Sequence, residues 1–143
     1  ELGRSCVALE YRNGRVITLL FRGIAEYLRR SNADALMGCA SIHGTDLPEL
    51  ATIQEMISRR FLSDPSLRVT PRRGFDIPPL PRSAPIDETS SFRSLPPLFR
   101  GYLRMGAKVC GPPAYDRQFG TTDYFVLAKA RDIVGRYRGR FLG

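Results

Sequence analysis

Histidine occurs once in this chain of 143 residues, at His43, lysine only at Lys108 and Lys129, and cysteine three times. Cys6, Cys39 and Cys110 are widely spaced and form no Cys-x-x-Cys pair, so with a single histidine no ligand set for a structural zinc is present and no metal is expected. Their odd number and apolar surroundings read as three small buried thiols in a reducing compartment. Long apolar runs are missing too. None approaches the roughly 20 residues that a membrane span needs, and no basic-then-apolar opening of the secretory kind is seen.

What is present is the composition of a globular domain. The chain is 43% hydrophobic and 25% charged, with eight Phe and six Tyr, enough for a single domain over 1–143 with a real core. The net charge of +8 is carried almost wholly by arginine. A guanidinium's planar fork suits phosphates and carboxylates better than a lysine point charge does. Such an excess is read either as a solvated basic surface or as the counterpart of an acidic partner: a carrier protein, an anionic membrane or a nucleic acid. Charge alone does not choose.

Leu2 to Leu9 reads as a strand leading to a polar turn at Glu10-Tyr11-Arg12-Asn13-Gly14. A helix from about Arg15 to Arg30 follows, with Val16, Leu20, Ile24, Tyr27 and Leu28 on an apolar face. Ala35 to Ile42 is a short run of small and apolar residues that suits a buried strand. Strand, helix and strand make a βαβ unit, so the two strands are expected to be parallel. Asp46-Leu47-Pro48-Glu49 carries the marks of a helix start: a capping Asp, a proline in the first turn and a Glu three residues on. That helix turns Leu50, Ile53, Ile57 and Phe61 inward.

Seven of the eleven prolines lie between Pro71 and Pro97. This excursion is read as a lid or binding segment, or as a flap of no consequence. Ser94 is expected to cap a helix bearing Leu98, Phe99, Tyr102 and Leu103, which Gly106 ends. Strands are expected at Ala107–Cys110 and Tyr124–Ala128, separated by the turn Gly111-Pro112-Pro113. In the tail, Arg136, Arg138 and Arg140 alternate with Tyr137 and Phe141, a pattern that fits an anionic membrane surface or a solvated terminus.

The start of the first helix is the most informative local feature. A helix amino end presents unpaired N–H groups and partial positive charge. Arg12 and Arg15 flank Asn13-Gly14, which can take a tight backbone geometry.

Several segments carry a family resemblance. Glu1-Leu2-Gly3-Arg4-Ser5-Cys6-Val7 with Glu10-Tyr11-Arg12 resembles the central segment of the GNAT-type N-acyltransferases of ornithine-lipid synthesis, a family that includes hemolysin-like members. More distantly it resembles the acyl-homoserine-lactone synthases. Gly38-Cys39-Ala40-Ser41 with Gly44-Thr45-Asp46 is similar to the same family, as are Leu95-Pro96-Pro97-Leu98, Gly101-Tyr102-Leu103, Gly106-Ala107-Lys108 and Phe119-Gly120-Thr121-Thr122-Asp123.

The resemblance implies an α/β (α+β) GNAT-like fold, a central mixed sheet flanked by helices, of which this chain would be the C-terminal half. It implies aminolysis of an acyl thioester: a (3-hydroxy)fatty acyl group passes from acyl carrier protein, or less readily from coenzyme A, to the α-amine of ornithine. Glu1 would accept the proton, and Arg4 would orient Glu1 or hold a carboxylate. Tyr11, Arg12, Asn13, Gly14 and Arg15 would receive the donor's phosphate. Arg12-Asn13-Gly14-Arg15-Val16 departs from the usual GNAT pyrophosphate loop, which agrees better with the single phosphodiester of a carrier-protein arm. Asp123 reads as the cap of a turn or as a contact for the ornithine side chain, and Ser41 as a packing residue or a part of the acceptor pocket, while His43 reads as a loop histidine. The protein is expected in the cytoplasm, in passing contact with the inner membrane face, with no tightly bound cofactor. The competing readings are another amino-acid acceptor and a basic, non-catalytic nucleic-acid- or membrane-binding module; no nucleic-acid reading motif stands out.

Overall fold

The computed structural model describes residues 1–82 and 85–133. A 3-10 turn at Leu9–Tyr11 precedes α1 (Arg15–Ser31), β1 (Ala35–His43) and α2 (Leu47–Arg60). A second 3-10 turn at Pro65–Leu67 is followed by α3 (Glu88–Ser94), α4 (Pro97–Met105), β2 (Lys108–Val109), β3 (Ala114–Asp116) and β4 (Thr121–Lys129). Helices and sheet combine in the α+β, GNAT-like class read from the sequence. The arginine–aromatic tail lies outside the described residues.

β4 is the organising strand. It pairs antiparallel with β1 along nine positions, from Ala35↔Lys129 to His43↔Thr121, and on its other edge with β2 and β3. Among the described residues a parallel pairing occurs only as the isolated bridge Leu62↔Val109. Tyr124, Val126 and Ala128 alternate inward along β4, matched across the ladder by Ala40 on β1. The Tyr124 and Phe99 rings meet at 5.5 Å, seating α4 on this face. Ile53, Met56 and Ile57 of α2 join the same core, and each such buried side chain contributes roughly 1.5–3 kcal/mol.

Local signals hold where their partners are local. The Asp46 side chain accepts from Glu49 N at 3.0 Å and starts α2 as read. Gly106, at φ 101, ends α4, and Ala107 N donates to Tyr102 O at 3.0 Å in the bonding that closes such helices.

Other expectations fail. Leu2 to Leu9 is not a strand, so the parallel pair does not form. Leu2 N donates to Met37 O at 2.8 Å, but no ladder follows, because the backbone turns away at Arg4, whose φ of 54° lies in the left-handed region. The inward face of α1 is Phe21, Ala25 and Leu28, not the Val16–Leu20–Tyr27 stripe; Leu20 is 40% exposed and Tyr27 68%. Ser94 ends α3 and does not cap α4, whose N-cap is Pro96. α3 and β3 went unforeseen, although Asp87, which accepts from Thr89 N, is a recognisable cap. Cys6 and Cys39 are exposed, and only Cys110 is buried. His43 ends β1 and is not in a loop.

The proline-rich excursion begins as a strap on the sheet. Val69 N donates to Cys110 O at 2.7 Å, and Tyr115 N to Phe75 O at 2.7 Å, so the segment covers the edge that β2 and β3 would otherwise expose.

Candidate active site

Where the opening segment leaves β1, a cavity of about 990 Å³ opens between residues 5–18 and α4. Ile17, Phe21, Leu98 and Met105 give it an apolar wall; Ser5, Tyr11, Arg12 and Thr18 give it polar edges. Its two sides are held together tightly. Gly101 lies so close to the Phe21 ring that a Cβ there would stand 2.8 Å from it. Tyr102 packs on Phe21 with ring centroids 6.2 Å apart, and its hydroxyl is hydrogen-bonded with Ser5. Burial pushes that phenol above its ordinary range, and the Ser5 contact pulls it partly back.

The turn before α1 shapes the cavity's rim. Gly14 is the N-cap with φ 84°, which glycine adopts without strain. Asn13 Oδ1 accepts from Arg15 N at 3.0 Å, and Arg12 Nε donates to Val7 O at 2.9 Å, pinning the 3-10 turn. No acidic residue occupies the first turn of α1, so its partial positive charge is uncompensated there. Of the five residues read as a phosphate cradle, Tyr11, Arg12 and Gly14 line the cavity. Asn13 and Arg15 do not; Asn13 builds the turn, and Arg15 is exposed.

A second group forms on the sheet face opposite Tyr124. Ser41 stands across the ladder from Asp123, and Cys39 lies two residues away on the same face. Partial desolvation raises the Cys39 thiol above its ordinary range first, and the Asp123 and Glu1 carboxylates raise it further. Glu1, Ser41 and Asp123, chosen separately from the sequence, therefore share one neighbourhood. Asp123 Oδ1 is buried with no hydrogen-bond donor among the described residues. Arg4 is exposed, and its backbone lies in the left-handed region. Cys39 was missed as a member, although its place two residues before Ser41 on a strand was the signal. The α4 wall was missed too: its apolar stripe read as core, which left Arg100 and Arg104 unconsidered. Among the described residues no three His, Cys, Asp or Glu side chains converge as metal ligands. No helix among them is long and apolar enough to cross a membrane.

No family model matches the chain, and no solved structure does. Curated relatives do match. The chain is 38% identical over 139 residues to an L-ornithine N(alpha)-acyltransferase of Brucella abortus, covering 96% of this chain and 49% of the relative. It is 35% identical over 141 residues to the protein of the same name from Rhizobium meliloti, covering 96% and 47%. Over the matched residues, the chain is similar to curated L-ornithine N(alpha)-acyltransferases. The Agrobacterium fabrum relative, also named L-ornithine N(alpha)-acyltransferase, is 32% identical with 96% and 47% coverage. The chain thus spans about half the length of the curated relatives it matches. The residues that carry the early resemblance reach both clusters: Ser5 to Val7 and Tyr11-Arg12 line the cavity, and Cys39, Ser41 and Asp123 share one face of the sheet.

Proposed function

We propose that this chain forms the donor-binding and catalytic part of an N-acyltransferase. It moves a (3-hydroxy)fatty acyl group from acyl carrier protein to the α-amine of ornithine, giving a lyso-ornithine lipid. The observation that carries this reading is the cavity at the parting of the opening segment from β1, with Arg12 and the start of α1 on its rim. A phosphopantetheine arm needs an anion seat and a partly apolar groove leading to the reacting carbon. From Ser5 on the cavity wall to Glu1 the chain reaches at most ~14 Å, so both ends of the arm are within one short segment's span.

In the reaction, Glu1 takes a proton from the ornithine α-ammonium. The freed nitrogen attacks the thioester carbonyl, and an oxyanion forms. The C–S bond then breaks, and the thiolate leaves to be protonated. Arg4 holds the acceptor's carboxylate. Asp123, with one oxygen buried and lacking a donor, receives the terminal ammonium, and Ser41 lines the approach. The names of the relatives support ornithine as the acceptor.

The test uses the full-length protein with 3-hydroxyacyl carrier protein and ornithine, reading lyso-ornithine lipid by mass spectrometry. Acylation of a different amine alone would retire ornithine. Undiminished turnover in both Glu1→Gln and Arg4→Ala would retire the site.

A further inference from the structure

α4 contributes Arg100 and Arg104 to the cavity that also receives Arg12. A step of four on a helix puts both guanidiniums on one stripe. The opposite stripe, Phe99, Tyr102 and Leu103, is buried in the core, so α4 cannot rotate to withdraw them. Among the described residues no Asp or Glu lines the cavity, although the chain has fourteen such residues. A solvated basic face would be convex and interspersed with acids. Here, cations from two walls meet in a concavity whose described lining carries no carboxylate.

Arg100 is the better placed of the two to bind. It is half-buried, and Nη1 donates to Arg93 O at 3.1 Å, which fixes the plane of its fork. One such bond leaves most of a guanidinium's five N–H donors for a ligand. The Arg104 guanidinium carbon lies 5.5 Å from the Phe92 ring centroid, where it adds charge to the wall from a fixed position.

We infer that Arg100 is a second anchor for the donor, gripping a phosphodiester oxygen from the α4 side while Arg12 and the start of α1 hold the other side. This rests on the acyl-transfer reading above and adds a specificity-determining residue to it. The shared chemistry is a phosphate ester on a pantetheine arm, which carrier protein and coenzyme A both present.

The experiment compares wild-type and Arg100→Gln full-length protein on three donors with the same acyl group: acyl carrier protein, acyl-coenzyme A and acyl-pantetheine, which has no phosphate. Arg100→Gln is expected to raise KM for the phosphate-bearing donor by about tenfold to a hundredfold, the span of a charged hydrogen bond, with kcat little changed. Acyl-pantetheine kinetics should not move, and Arg100→Lys should recover part of the loss. An equal loss on acyl-pantetheine would mean that Arg100 only braces α3 through Arg93, and the inference falls. A wild-type protein indifferent to the phosphate overturns it as well. Sensitivity confined to acyl-coenzyme A keeps the anchor and reassigns the donor. Should the wild type transfer from none of the three, the acyl-transfer reading fails. Calorimetry of 4′-phosphopantetheine against pantetheine, on wild type and Arg100→Lys, then decides the anchor by itself: weaker binding of the phosphate form alone supports it, and equal binding overturns it.

Discussion

Replacing Gly38 by alanine puts a methyl carbon 2.5 Å from Leu2 O, well inside the roughly 3.4 Å of ordinary contact. The obstacle is backbone, so no side chain can swing aside. Relief requires the opening segment to move away from β1 by up to about 1 Å, which strains or breaks the bond from Leu2 N to Met37 O. Overpacking of this kind costs about 1–3 kcal/mol, offset by the ~0.5–1 kcal/mol that removing a strand glycine returns. The functional loss should exceed the loss of stability. Glu1 is one residue from the displaced carbonyl, and a misplacement of about 1 Å in a catalytic group can cost on the order of a hundredfold in rate. In the full-length protein, Gly38→Ala is therefore expected to lower kcat by about tenfold to a hundredfold, with a net stability loss no larger than about 2.5 kcal/mol in urea. Gly23→Ala is the matched control: its Cβ meets nothing within 4 Å on α1, so it should gain about 0.5–1 kcal/mol and leave kcat alone. A Gly38→Ala enzyme with wild-type kcat would refute the placement of Glu1 at the reacting centre.

Asp123→Asn should raise KM for ornithine by about tenfold to a hundredfold in steady-state assays, with stability unchanged or improved, since a buried oxygen without a donor loses its charge. Because partial desolvation and then the Asp123 and Glu1 carboxylates raise the Cys39 thiol, its alkylation at neutral pH should be slower than that of a free cysteine peptide. Mapping by mass spectrometry should show the rate climbing with pH, and Asp123→Asn should accelerate it. Arg4→Gly keeps the left-handed turn and relieves it, so urea denaturation should show a gain of up to about 1 kcal/mol while acyl transfer drops. Gly111→Ala should be among the most damaging single changes: φ is 132°, and the new Cβ would stand 2.2 Å from Val69 O, prising the strap off β2. Protease sensitivity of the 61–76 segment measures it.

The sequence determined what depends on neighbours along the chain. α1 extends over Arg15–Ser31 because a helical apolar period runs without a break from Val16 to Leu28. α2 begins where Asp46 can cap it, α4 stops where Gly106 can take positive φ, and β4 contains the five residues read as a strong strand. The family resemblance also lay in short contiguous motifs. What needed a partner distant in sequence was decided only in three dimensions. Leu2–Leu9 has a strand's composition, but a strand exists only with a ladder, and Met37 offers it a single bond. α1 is apolar on more than one side, so period alone could not tell that Phe21, fitted over Gly101, faces inward. Ser41 meets Asp123, and Arg100 faces Arg12 across the cavity, by sheet register and helix packing that no local spacing encodes.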